Sequence, residues 1–245
     1  MKSYSIIREG ESAQALVSER GGHVISYIRD GEDIIYLQRP KGSKLRGGIP
    51  ICFPFFGPSP EGFSEISQHG WLRNEMLDLW KEEPSNVRFR GVNHGRADYP
   101  WKLEYLINTA LRPDGLELEL EVYRLSDGID ASAPINPAFH PYFANLGEMT
   151  ATVGQQERMV YVGQDETFSL QENKIIVINL GKKKVQMILG GDFGGKSCLT
   201  LWTDGDKYFC VEPSLTHPNQ FGTLEGVYLN QGETLILTCA IKILQ

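Results

Sequence analysis

Across residues 116–122 the chain reads LELELEV, and no other stretch limits its fold as tightly. Leu116, Leu118, Leu120 and Val122 alternate with Glu117, Glu119 and Glu121. An extended backbone sends successive side chains to opposite faces, so all the apolar groups share one side and all the carboxylates the other. A helix would scatter the same residues around its circumference. The period therefore predicts a strand with one buried and one wet face. Residues 101–111 precede it, and Arg112-Pro113-Asp114-Gly115 joins the two runs as a hairpin turn. A second hairpin is expected from Val24–Arg29 and residues 33–37, turning at Asp30-Gly31. Near the C-terminus Leu235, Leu237, Cys239, Ile241 and Ile243 line one face after a turn at Asn230-Gln231-Gly232. Ile175–Leu180, residues 185–189, Cys198–Trp202 and residues 209–212 are further strand candidates.

Helical periodicity is scarce. Leu72, Met76, Leu79 and Trp80 fit one helical face, but the segment is short and reads equally as a loop followed by a strand. Twenty-six glycines and thirteen prolines spread along 245 residues supply frequent turns. Many short strands with turns between them point to an all-β, antiparallel sandwich or barrel. No repeat, low-complexity tract or linker-like change of composition divides the chain, so residues 1–245 are read as a single domain.

Composition bears on partners. With 24 basic and 31 acidic residues the formal net charge is −7, and no long Lys/Arg block occurs, which argues against nucleic acid. One local basic pocket could still hold a phosphorylated small molecule. Cys52, Cys198, Cys210 and Cys239 form no CxxC pair and read as reduced thiols in or near the core. No run approaches the ~18 apolar residues of a membrane helix, and the opening MKSYSIIREGESAQ lacks the apolar centre of a secretory leader. The expectation is a cytoplasmic protein without membrane partners, monomeric by default.

Four segments depart from plain strand and turn. RGGIPICFPFFG, residues 46–57, packs two prolines and three phenylalanines behind an arginine, a stiffened aromatic loop suited to walling a polar ligand or to filling the end of a sandwich. NPAFHPYF, residues 136–143, sets His140 among aromatics, where burial lowers an imidazole pKa and a carboxylate raises it. FCVEP, residues 209–213, sets Glu212 at the end of an apolar strand, with Pro213 expected to close the strand behind it. QHGWLR, residues 68–73, sets His69 and Arg73 around a tryptophan. Taken singly, each also reads as ordinary structure: a packed connection, a core histidine bonded to a carbonyl, an exposed strand-end carboxylate, a surface loop. His69, His140 and Glu212 are the one plausible metal set, but no HxH or HExxH spacing supports it. No GxSxG, GxGxxG or GxxxxGK[ST] occurs, so no serine nucleophile or nucleotide cofactor is expected.

In their order, RGGIPICFPFFG, QHGWLR, AFHPYF and FCVEP, with NQGET (residues 230–234) before the last strand, resemble the galactose mutarotase-like superfamily. Within it they resemble the aldose 1-epimerases and hexose-6-phosphate 1-epimerases. The resemblance runs from about Arg46 to the C-terminus, and the GGIP and HG pieces look more like the phosphosugar branch. It implies a β-supersandwich of two stacked antiparallel sheets that interconverts α and β anomers at C1, probing a small sugar or sugar phosphate without cofactor or metal. It also implies pairing of His140 as acid with Glu212 as base. His69 and Asp165 would bind sugar hydroxyls, with Asp192 second to Asp165. Arg46 and Arg73 would clamp a 6-phosphate, a task matched to the guanidinium fork. Phe53 and Trp202 are candidates to pack on the sugar's apolar face. Three readings follow: a hexose-6-phosphate 1-epimerase, an aldose 1-epimerase on free hexoses, and a catalytically silent carbohydrate-binding domain on the same fold.

Overall fold

The computed structural model describes residues 2–8, 12–42, 44–159, 161–205 and 207–244. Two large antiparallel sheets carry most of them. The first runs Ser3–Ile7, Ala13–Ser18, Val24–Arg29, Glu32–Ile35, Tyr142–Ala144 and Tyr208–Ser214, with Cys198–Trp202 and Asp165–Ser169 beyond. Short strands Ala138–Phe139 and Ile51–Cys52 extend its middle. The second runs Gln156–Arg158, Met149–Val153, Ile175–Leu180, Lys184–Gly191, Thr234–Leu244, Gly115–Arg124, Leu103–Arg112, Asn86–Asn93 and Asp78–Glu83.

The LELELEV segment lies inside Gly115–Arg124, between Leu103–Arg112 and Thr234–Leu244. Its four apolar side chains are at most 1% exposed, and each such burial contributes roughly 1.5–3 kcal/mol. The same alternation carries Arg124 onto the inward face, where an unpaired guanidinium would be very costly. Its two terminal nitrogens donate to the Ala131, Leu229 and Ile129 carbonyls at 2.8, 3.1 and 2.8 Å and to Asp127 at 3.3 Å, which leaves Nε buried without a hydrogen bond among the described residues. Apolar faces of both sheets merge into one buried cluster. Tyr4 of the first meets Phe89 of the second edge-on at 5.5 Å between ring centres, and Phe53 meets Tyr105 at 5.8 Å.

The expected hairpins form. Arg112 pairs with Gly115 around a two-residue Pro113-Asp114 turn. Asp30 and Gly31 both take positive φ, 54° and 77°, the mirror-image turn whose twist suits a tight hairpin. Two readings change. The helical alternative over residues 72–80 gives way to a single 3-10 turn, Leu72–Asn74, and the edge strand Asp78–Glu83. Met76, Leu79 and Trp80 stay exposed, so no apolar face exists there for a helix to bury. Nor does Pro213 end its strand, which continues to Ser214. The Val211 N–H points to the flank occupied by Pro141, so Pro213, two residues on, would donate to that same flank. There the neighbouring strand is interrupted between Phe139 and Tyr142, and the missing donor breaks little of the ladder. Among the described residues no helix is long and apolar enough to cross a membrane. All four cysteines are free and buried.

Candidate active site

Strand register assembles the floor of a cavity of about 1060 Å³. In the first sheet Tyr208–Ser214 has Cys198–Trp202 on one flank and two short strands, Ala138–Phe139 and Tyr142–Ala144, end to end on the other. Ala138 faces Ser214 and Tyr142 faces Cys210, so His140, in the gap between, falls opposite Glu212. On the other flank Glu212 pairs with Thr200, and Thr200 with Thr167. One cross-strand row therefore reads Thr167, Thr200, Glu212, His140, and all four line the cavity. The next row on the same face is Asp165, Trp202, Cys210, Tyr142. A row two residues away shares the face because side chains alternate.

His140 Nδ1 lies 3.3 Å from Glu212 Oε1, but out of line for a hydrogen bond, and is left buried without such a partner. The imidazole stacks on Tyr142, with ring centres 4.7 Å apart and planes 3° from parallel. The His140 N–H donates to the Pro50 carbonyl at 3.0 Å, which ties this row to the RGGIP segment. That segment approaches closely because it has glycines. A Cβ on Gly47 would stand 2.7 Å from the Tyr36 carbonyl oxygen, and one on Gly48 2.4 Å from that of Val24. Arg46 reaches the cavity with Nε 3.4 Å from Asp204 Oδ2 and its guanidinium 5.1 Å from the Trp202 ring centre. Asp204 is shared with Lys41 Nζ at 3.0 Å and with the Tyr208 hydroxyl.

His69 and Gly70 turn the opposite wall, with φ of 65° and 74°. A left-handed histidine is uncommon. Its geometry is held twice by Gly57: the Gly57 N–H donates to His69 Nδ1 at 3.1 Å and the His69 N–H to the Gly57 carbonyl at 2.9 Å. Because Nδ1 accepts a hydrogen bond, the imidazole proton sits on Nε2. The His69 ring is 5.4 Å from that of His140, edge-on. Arg73 donates to the Gln68 carbonyl at 2.8 Å and has no carboxylate in ion-pair reach among the described residues. Its backbone packs beside Gly21, and Arg20, held by Asn74 at 2.9 Å, joins it in the cavity wall.

Electrostatics press the central pair toward neutral forms. Burial, with Asp165 nearby, pushes Glu212 well above the usual carboxylate range, against the opposing pull of the Cys210 thiol and Arg46. Burial also drives His140 well below the usual imidazole value, reinforced by His69, Arg73 and Arg46. Neutral imidazole beside a carboxylic acid holds as many protons as imidazolium beside a carboxylate, so the two are tautomers of one coupled pair. Across that pair one group can release a proton while its partner receives one. His140, Cys210 and Glu212 also present ligand atoms all within 4.8 Å of one another.

A family profile described as aldose 1-epimerase matches residues 3–185, about three-quarters of this sequence. The chain belongs to the aldose 1-epimerase family. A Cenchrus ciliaris protein with glucose-6-phosphate 1-epimerase as its provisional name is 25% identical over 242 residues, covering 82% of this chain and 70% of that one. A Salmonella typhimurium protein with the same provisional name is 32% identical over 74 residues, 28% of this chain and 24% of its own length. Among solved structures, a galactose mutarotase-related enzyme from Lactobacillus acidophilus superposes with a TM-score of 0.81 at 15% identity, over 100% of this chain and 98% of that one. A galactose mutarotase-like protein from Lactobacillus casei gives 0.78 at 17%, over 99% and 100%. These likenesses establish the galactose mutarotase-like β-sandwich for this aldose 1-epimerase family member.

Every expected site residue, His140, Glu212, Arg46, His69, Arg73 and Asp165, lines this same cavity. Asp192 does not; its carboxylate accepts the Ile236 N–H at 2.7 Å. Phe53 is fully buried against Trp71 and Tyr105 and belongs to the core, whereas Trp202 and Phe56 do line the cavity. Sequence reasoning missed Arg20, His23, Thr167, Thr200 and Tyr142 as wall residues. The period-two pattern of Cys198–Trp202 could have flagged Thr200, the polar residue amid buried leucines.

Proposed function

We propose that this family member interconverts the α and β anomers of a hexose 6-phosphate, such as glucose 6-phosphate, by opening and reclosing the hemiacetal ring. The observation that carries this reading is the buried His140–Glu212 pair, 3.3 Å apart at the floor of a cavity whose rim holds Arg20, Arg46 and Arg73. In its ionised tautomer the pair supplies both ends of the reaction. Glu212 takes the proton of the C1 hydroxyl, the electron pair left on that oxygen forms the aldehyde carbonyl, and the bond from C1 to the ring oxygen breaks. His140 delivers its proton to that ring oxygen. Rotation about C1–C2 and reclosure with the roles exchanged give the other anomer and return both protons. Each positioned transfer is typically worth ~10²–10⁴-fold. Asp165, His69 and Thr200 would meet sugar hydroxyls, and Arg73, with no carboxylate in ion-pair reach among the described residues, would take the phosphate.

Anomeric exchange measured by NMR on glucose 6-phosphate and glucose side by side tests this. Acceleration confined to the phosphate supports it. Equal acceleration of both favours the aldose 1-epimerase reading on free hexoses, for which the ion pairing of Arg46 with Asp204 speaks. Binding without acceleration would leave a silent carbohydrate-binding domain. The proposal extends to one functional unit over residues 1–245, acting as a monomer in the cytoplasm, a setting suited to four free buried thiols.

A further inference from the structure

Proton transfer does not account for Cys210. It occupies the second cross-strand row, fully buried, and its thiol lies against the Glu212 carboxylate. Beside it, His140 Nδ1 is buried, 3.3 Å from Glu212 Oε1, and in hydrogen-bond geometry with none of the described residues. A contact that is short yet misaligned is poor as a hydrogen bond but matches another arrangement. Two ligand atoms each 2.0–2.1 Å from a tetrahedral ion stand about 3.3–3.4 Å from one another. A nitrogen, a sulfur and a carboxylate oxygen, all within 4.8 Å, form a donor set that selects soft or borderline divalent metals over magnesium or calcium. Charge also closes: a doubly positive ion with a thiolate, a carboxylate and a neutral imidazole leaves no net charge among three buried ligands. His140 and Glu212 both border the cavity, so a fourth ligand position opens toward solvent or a sugar hydroxyl.

We propose that His140 Nδ1, Cys210 Sγ and Glu212 Oε1 form a binding site for a thiophilic divalent cation of the zinc class, and that occupancy shuts the epimerase off. Binding forms three bonds to the ion and expels the thiol proton and any carboxyl proton to solvent; no electron transfer is involved. The same lone pairs then cannot accept or deliver the protons of ring opening. Nearby Arg46 and Arg73 oppose the cation and Asp165 favours it, so affinity falls short of that of a closed four-ligand site. The binding claim stands apart from the proposed reaction, whereas the inhibition rests on it.

Cobalt(II) is the probe, added to the intact protein. One equivalent should produce a thiolate-to-cobalt charge-transfer band in the near ultraviolet and the visible bands of a four-coordinate ion, both erased by zinc. Cys210→Ser should remove the charge-transfer band and weaken binding by at least about 100-fold, since a ligand is worth more than the outer-shell partners whose loss costs 10–100-fold. Glu212→Gln, which keeps the thiol, should weaken binding while retaining sulfur character in any residual band. Zinc at the concentration that displaces cobalt should slow anomeric exchange, and magnesium should not. Absence of saturable cobalt binding up to millimolar concentration overturns the site. So does a charge-transfer band that persists in Cys210→Ser, which would assign the sulfur to Cys52, Cys198 or Cys239. If no sugar is turned over, the cobalt spectrum still decides the binding claim, and only the inhibition falls.

Discussion

Arg73 and Arg46 are both arginines on the cavity wall, but only Arg46 already has an acidic partner, Asp204, among the described residues. Charge-assisted hydrogen bonds contribute roughly 1.5–3 kcal/mol each. Arg73→Ala should therefore raise KM for glucose 6-phosphate about 10- to 100-fold and leave the kinetics on glucose nearly unchanged; an equal loss on both sugars would remove the arginine from phosphate recognition. At the pair itself, His140→Gln and Glu212→Gln should each lower kcat by about 10²–10⁴ with little change in urea midpoint. A variant with undiminished kcat would end the assignment of that residue. The identities of these residues were legible in short motifs, because Pro, Gly and aromatic clustering marks them off from ordinary strands. Their pairing was implied by the family resemblance and not by any spacing rule, since 72 positions separate His140 from Glu212 and the register around Tyr208–Ser214 is what brings them together. Arg20 carried no local signal at all. It reaches the cavity because Gly21 lets the backbone sit against Arg73.

At the scale of the element, the RGGIP segment is held by backbone contacts that a side chain would block. Gly48 has φ of 76° and a would-be Cβ 2.4 Å from the Val24 carbonyl oxygen, while Gly31 has φ of 77° and open space around it. The two glycines thus separate conformational strain from collision. Gly31→Ala should cost about 1 kcal/mol and Gly48→Ala at least about twice that, with loss of activity through displacement of Pro50 and the His140 N–H it receives. Equal urea midpoints for the two variants would contradict this. Alternation made most strands readable, and in the structure the same alternation carries Arg124 inward to its carbonyl partners. Residues 72–80 were ambiguous because four apolar residues at mixed spacing satisfy either period, and the sheet edge, not local preference, decides among them.

For the whole molecule, buried His23 sets an acid limit. Burial, helped by Arg20 and Arg73, lowers it from 6.5 to about 4. The unfolded chain therefore binds a proton that the folded chain refuses. Stability from this group is complete above pH 6.5 and is lost as pH falls toward 4, by on the order of 3 kcal/mol in all. Asp127 and Asp204, both held below the usual carboxylate value in the fold, add their losses at still lower pH. Urea midpoints at pH 7, 5.5 and 4.5 should fall steadily, and His23→Gln should flatten the slope. A parallel decline in that variant would move the acid sensitivity elsewhere.

Because the floor of the cavity is spelled by two rows of one sheet face, its chemistry has a reading frame. Inserting a single residue between Tyr208 and Val211 would turn the carboxylate into the hydrophobic interior and present Val211 in its place, and deleting one there would present Pro213, whereas exchanging the turns that join the strands leaves the frame intact. Lineages can thus rewrite nearly all of the surrounding text and keep the fold, as the 15–17% identities to the Lactobacillus structures illustrate.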